Sequence, residues 1–282
     1  MGGVVINADS AQVYRDLRIV TARPTLEEEE RAPHRLYGYR DGAGACSAAD
    51  WAGDARREIA AAHAAGRLPI LAGGTGLYVR TLLDGIAPVP PIEPEVREAV
   101  RALAADAAYS ALKHEDPVAA QRLPFADTTR VARALEVVRS TGRSLSDWQK
   151  RRTGGIAASV ELIPLILLPP REWLYPRCNQ RFDEMISGQG LSEVNFLLKR
   201  ELDPSLPVMR AIGVREIAAY LRGELDRQGA LEAGRTATRQ YAKRQYTWFS
   251  RQPPPHWPRF TGALDCEAQA NALAGLDARL SR

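Results

Sequence analysis

The sequence predicts an α/β protein: a parallel-sheet core flanked by helices and interrupted by a helical insertion. Three observations carry that prediction. Val4-Val5-Ile6 is a β-branched run followed at once by Asp9, Ser10 and Gln12, as a buried parallel strand ends in polar residues. Leu68-Pro-Ile-Leu-Ala72 reads as a second buried strand, turning through Gly73-Gly-Thr-Gly76 into a helix at Leu77. From Glu93 to about Trp148 the periodicity is helical throughout, behind a boundary marked by Pro88, Pro90, Pro91 and Pro94.

In chain order, Glu27-Glu-Glu-Glu30 suits the first turn of a helix, where carboxylates complement the macrodipole, or a solvated face. His34, with no Cys or second His nearby, reads as a structural hydrogen bonder rather than a metal ligand. Ser47 and Asp50 open an Ala-rich helix that Gly66 closes. Within the insertion, helices are expected from Pro94, over Ala99 to Leu112, and over Thr128 to Ser140, the last with Val131, Leu135 and Val138 on one face. Leu162 to Leu168 is expected to return the chain to the sheet, Leu174 to Met185 to form a helix broken by Gly188 and Gly190, and the residues beyond Pro258 to end in an Ala/Leu-rich helix. These boundaries place an α/β core at 1-86 and 161-282 and a helical insertion domain at 87-160.

Composition excludes several classes. The 282 residues are 45% hydrophobic and 26% charged, an ordinary globular balance, and the net charge of +4 permits an anionic partner without requiring one. Cys46, Cys178 and Cys266 form no Cys-x-x-Cys pair, which suits a reducing, cytoplasmic setting better than a disulfide framework or zinc ribbon. The longest apolar run is broken by Pro164, so no membrane span is expected, and Ile6 stands where a myristoylation signal needs Ser or Thr.

Function is carried by a few stretches. Asp9 and Ser10 follow a strand, where open α/β sheets bind ligands, although both residue types also cap helices. The Gly73-Gly-Thr-Gly76 turn lets backbone N–H groups approach an anion, although glycines also serve plain turns. Arg235, Arg239 and Lys243 recur on one helical face, with Arg244 beside them and Tyr241, Tyr246 and Trp248 interleaved. Regular cations alone mark a solvated face, whereas interleaved aromatics favour nucleic acid, because rings stack exposed bases.

Asp9-Ser-Ala-Gln-Val-Tyr-Arg15 with Thr21-Ala-Arg-Pro24, Leu71-Ala-Gly-Gly-Thr-Gly-Leu-Tyr78, Arg133-Ala-Leu-Glu-Val137 with Thr141-Gly142, and Thr238-Arg-Gln-Tyr-Ala-Lys-Arg-Gln245 with Thr247-Trp248 together resemble the tRNA dimethylallyltransferases (tRNA isopentenyltransferases), in that family's order. The resemblance runs from about Val4 to about Trp257. It implies a P-loop-NTPase-like core whose helical insertion contacts tRNA. It also implies transfer of a dimethylallyl group from dimethylallyl diphosphate to N6 of adenosine 37, beside the anticodon. It assigns catalysis to Asp9, Thr75 and Arg210, with Asp9 taking the N6 proton. It assigns tRNA contacts to Asp9, Ser10, Ala11, Gln12, Thr75, Arg97, Thr129, Arg130, Arg133, Arg210, Gly213, Arg215, Arg239, Lys243, Arg244, Gln245 and Trp248. The partners expected are the tRNA anticodon stem-loop and the prenyl diphosphate. Mg²⁺ is the implied cofactor, with no residue assigned to it, and the chain is expected to act as a monomer.

The sequence departs from the family in places. Pro33-His-Arg-Leu36 replaces Pro-His-His-Leu, Pro124-Phe-Ala-Asp127 stands for His-Pro-Asn-Asp, and Val214 replaces the Tyr of Arg-x-x-Gly-Tyr-Arg. The family's phosphate-binding loop, Gly-x-Thr-x-x-Gly-Lys-Ser/Thr, occurs nowhere. N-terminal truncation and impaired turnover are therefore expected, and a non-catalytic tRNA-binding remnant is the alternative. A small-molecule kinase relative is the weakest reading, because it could not lack that loop.

Overall fold

The computed structural model describes residues 2–265 and 275–276, so Cys266 and most of the expected last helix lie outside it. Inter-residue contacts divide the chain into two units, Met1–Arg80 with Ser159–Arg282, and Thr81–Ala158.

The first unit opens with β1 (Gly3–Asn7), in which Val4 and Ile6 face the core. Helix α1 (Leu26–Arg31) starts on a reciprocal capping box between Thr25 and Glu28, with Glu27, Glu28 and Glu29 in its first turn. Then come β2 (His34–Arg35), α2 (Ala48–Ala64), capped in the same way by Ser47 and Asp50, β3 (Leu68–Ala72) and α3 (Gly76–Asp84). The sheet order is β2-β1-β3, and both pairings are parallel. Strand β2 carries no apolar run, so only its pairing with β1 makes it a strand.

The second unit is all helical among its described elements: α4 (Pro94–Arg101), α5 (Ala105–Glu115), α6 (Pro117–Arg122), α7 (Thr128–Thr141) and α8 (Leu145–Gln149). The Ala-rich stretch expected to run from Ala99 is two helices, with Ala104 in extended conformation between them. Val100, Leu112, Val131 and Leu135 form its core. Its two ends are tied by reciprocal backbone bonds of 3.0 Å between Ile86 and Thr153.

The first unit resumes with β4 (Ile166–Leu167), α9 (Arg171–Ser187), α10 (Gln189–Leu198), a 3-10 turn (Pro207–Arg210), α11 (Val214–Leu221), α12 (Arg227–Arg251) and β5 (Arg259–Phe260). The expected return of Leu162–Leu168 to the sheet is corrected here. Only two residues of it are strand, and they pair with β5 rather than with β1 to β3. Pro164 removes a ladder donor and Pro169-Pro170 close the run, so little ladder survives. Phe182 of α9 is fully buried against Gly234 of α12, where an added Cβ would overlap its ring. No helix among the described residues is long and apolar enough to cross a membrane.

Candidate active site

The polar residues after β1 are fixed from beneath. Asn7 is fully buried; its Nδ2 donates to the carbonyls of Asp9 and Leu36, each at 3.0 Å, and its Oδ1 accepts from Asp9 N at 2.8 Å. Trp51 Nε1 donates to the Asn7 carbonyl at 2.8 Å. The strand end is thereby held by side chains as well as by its ladder with β3, where Ala8 N donates to the Ala72 carbonyl at 2.8 Å.

Asp9 Oδ1 accepts from Ala11 N at 2.8 Å. Burial raises the Asp9 carboxyl above its ordinary range, against the opposing pull of the Ala11 and Gln12 N–H groups and the Arg181 guanidinium. The Asp9 carboxylate is thus both pinned and made more basic. Arg181 of α9 supplies the positive charge acting on Asp9, and partial burial lowers its own pKa. Tyr241 of α12 completes the group: burial, then the charge of Asp9, push its phenol up to about 12.

Thr75 joins the two loops. Its N–H donates to the Ala8 carbonyl at 3.1 Å, its Oγ1 accepts from Ser10 N at 2.9 Å, and Oγ1 donates to Ser10 Oγ at 3.2 Å. Gly73 packs so closely that an added Cβ would overlap the Ala8 carbonyl. Asp9, Ser10, Ala11 and Thr75, proposed from sequence, therefore share one site at the carboxyl ends of β1 and β3.

Other sequence-proposed residues are employed differently. Gln245 Nε2 donates to the Gly74 carbonyl at 3.1 Å and the Trp248 ring packs on Gly76, so both hold α12 to the glycine turn. Arg239 donates to Asn179 Oδ1 at 2.6 Å, and Arg235 makes a bidentate pair with Asp183 at 2.7 and 2.6 Å. Half of the expected cationic face is thus spent joining α12 to α9. Lys243 and Arg244 remain exposed, Arg244 over the Tyr241 ring at 5.5 Å, and with Gln240, Thr247, Arg251 and Gln252 they border a cavity of about 660 Å³.

Arg210 is exposed on the 3-10 turn, where it helps hold the Asp203 carboxyl down; the cation that acts on Asp9 is Arg181. Gly213 adopts φ 95° and donates its N–H to Glu216 Oε2 at 3.1 Å, starting α11, while Arg215 is exposed. In the second unit, Arg97, Thr129, Arg130 and Arg133 are exposed; Arg130 lies 3.3 Å from Asp127, and Arg133 lies 3.5 Å from the buried Glu136 that Arg101 also contacts.

Among the described residues no group of three or more His, Cys, Asp or Glu side chains could hold a metal ion. Asp9 accepts one N–H at Oδ1 and keeps lone pairs at both oxygens, so it could serve a divalent ion as a single ligand but does not by itself make a cage for Mg²⁺.

The family model described as IPP transferase matches residues 12–252. This chain belongs to the IPP transferase family. The tRNA dimethylallyltransferase of Erythrobacter litoralis is 63% identical over 256 residues, 91% of this chain and 81% of that protein. The enzyme of the same name from Novosphingobium aromaticivorans is 62% identical over 272 residues, 96% of this chain and 97% of its own length. Among solved structures, the full-length tRNA isopentenylpyrophosphate transferase of Bacillus halodurans aligns with TM-score 0.66 at 30% identity, over 99% of this chain and 91% of that one. A eukaryotic dimethylallyltransferase acting on tRNA aligns with TM-score 0.73 at 28% identity, over 87% of this chain and 63% of that one. IPP transferase membership makes the chain an enzyme of P-loop-like α/β fold.

The sequence marks Tyr241 without placing it at Asp9, and carries no motif that singles out Arg181, Asn7 or Glu193. Glu193 of α10 accepts from three consecutive N–H groups, those of Arg18 (2.8 Å), Ile19 (2.8 Å) and Val20 (3.0 Å). What the sequence does show of Arg181 is its spacing of four from Arg177, which puts the two on one face of α9.

Proposed function

We propose that this IPP transferase moves the dimethylallyl group of dimethylallyl diphosphate to N6 of adenosine 37, the base just 3′ of the tRNA anticodon. The observation that carries the reading is Asp9, a carboxylate fixed by backbone donors, raised in pKa by burial and open beside Thr75 and Ser10. N6 attacks the allylic carbon as the C–O bond breaks, and that electron pair leaves with diphosphate. The surplus proton passes from N6 to Asp9, whose raised pKa makes it the better base. Arg181 is the cation available to offset the departing charge. Lys243, Arg244 and Arg251 supply sequence-independent attraction to the RNA backbone, and the exposed arginines of the insertion extend it. A divalent ion, Mg²⁺ in this reading, would be bound through the donor's phosphates rather than by a protein cage, and no step is routed through it.

The test is transfer of labelled dimethylallyl to an anticodon stem-loop. Asp9→Asn is expected to lower the rate by about 10²-fold or more with RNA affinity nearly unchanged; equal rates would remove Asp9 from the chemistry.

A further inference from the structure

Asp9 is aligned by the residues that follow it, and those residues are gripped from α10. The N–H of Ala11 donates to Asp9 Oδ1 at 2.8 Å, with the Gln12 N–H beside it. Gln12 is itself fixed at two points. Its carbonyl accepts from Gly38 N at 2.8 Å, and its side-chain Nε2 donates to the Thr21 and Ala22 carbonyls at 2.9 and 2.8 Å. The donors on Asp9 therefore stand where the turn over residues 17–22 lets them stand.

That turn is closed on itself and held from one side. Ala22 N donates to the Ile19 carbonyl at 3.0 Å, Arg23 N to the Arg18 carbonyl at 2.9 Å, and Thr21 Oγ1 to the Leu17 carbonyl at 2.7 Å. Ala22 holds φ 50°, in the left-handed region. The N–H groups of Arg18, Ile19 and Val20 converge on the Glu193 carboxylate, and Ile19 N reaches both of its oxygens, at 2.8 and 2.9 Å. Successive N–H groups pointing one way make an anion-binding concavity, and a side chain 174 residues along the chain from Ile19 fills this one. The turn thus gives its N–H side to Glu193 and its carbonyl side to Gln12. Glu193 also acts on Arg23, whose charged form it favours.

We propose that Glu193 is a positioning residue for the proton transfer: by fixing the turn over residues 17–22 it fixes Gln12, and through Gln12 the N–H groups that aim Asp9. The inference rests on the reading of Asp9 as the base and adds to it a residue that touches neither substrate. A carboxylate suits the task because three donors converge on it and each of its two oxygens can accept; a carboxamide has one accepting oxygen, enough for two of the three. Without Glu193, Gly38 still holds the Gln12 carbonyl, and Arg200 still pairs with Asp16 and Asp41 just upstream of the turn. The path of the chain then survives while its alignment slackens.

The experiment measures dimethylallyl transfer to an anticodon stem-loop by the full chain as a function of pH. Glu193→Ala is expected to lower kcat by about tenfold with KM for the stem-loop within about twofold of wild type. A carboxylate that loses N–H donors holds its proton to higher pH, so the acidic limb of kcat moves upward. Arg181, Tyr37 and Tyr241, the other groups whose charge or phenol faces Asp9, are the same in both proteins. Glu193→Gln should recover part of the rate and move the limb less. Because Glu193 acts through Gln12, adding Glu193→Ala to Gln12→Ala should change kcat by no more than about twofold. Wild-type transfer with an acidic limb that Glu193→Ala leaves in place, or losses that multiply in the double variant, overturns the inference alone. If Glu193→Ala fails to fold, Glu193→Gln decides, and an unmoved limb there is equally fatal. A full chain that transfers nothing, or whose rate is indifferent to Asp9→Asn, overturns the reading of Asp9 and this inference with it.

Discussion

Asp9 shows how a functional residue opposes stability. Because burial raises its folded pKa above the unfolded value, the folded state binds the extra proton more tightly, and stability falls as pH rises through the window between the two values. Asp9→Asn is therefore expected to raise the melting temperature at neutral pH, with the gain shrinking below the ordinary carboxylate range, while transfer is lost. A melting temperature unmoved at both pH values would deny the burial cost. Gly73 is the converse case, where a methyl group has no room. Gly73→Ala must push the Ala8 carbonyl aside, costing about 1–3 kcal/mol in denaturant titrations and displacing Asp9 from its donors.

Helices α9, α10 and α12 divide their polar residues between holding the molecule and facing solvent. Arg235→Ala breaks a bidentate pair with Asp183 and should lower stability while leaving the salt dependence of RNA binding in place. Lys243→Ala and Arg244→Ala should each reduce the slope of log affinity against log salt by about one, with little change in melting. The reverse pattern would exchange the roles of the two ends of α12. On α10, Glu193→Ala leaves three N–H groups without their acceptor, at about 2 kcal/mol or more if water cannot replace it. Hydrogen exchange should speed at Arg18, Ile19 and Val20 before it does elsewhere, and Glu193→Gln should recover part of the protection.

At the scale of the whole molecule, two units with separate apolar cores predict separable stabilities. Leu112 is fully buried in the core of the second unit, so Leu112→Ala should cost about 2–5 kcal/mol there. The amides of β1 and β3 should stay protected under native hydrogen exchange, because their core draws on Ile6, Trp51 and Leu17 instead. Loss of protection in both units together would contradict separate cores.

Local chemistry alone determined much of this protein. The β-branched run of β1, the capping boxes at Thr25 and Ser47, the glycine turn after β3 and the strandless insertion are each set by a few adjacent residues, so the α/β class and the place of Asp9, Ser10 and Thr75 were legible. Strand β2 was not, because two residues with no apolar run become a strand only by pairing with β1. Nor was the partition of the α12 cations: Arg235 and Lys243 look alike in sequence, and only Asp183, 52 residues away, distinguishes them. Tertiary structure alone brought Arg181 and Tyr241 to Asp9. The physical reason is common to these cases: propensity and capping act over a turn of chain, whereas burial, charge pairing and side-chain hydrogen bonds act on whatever the fold makes adjacent.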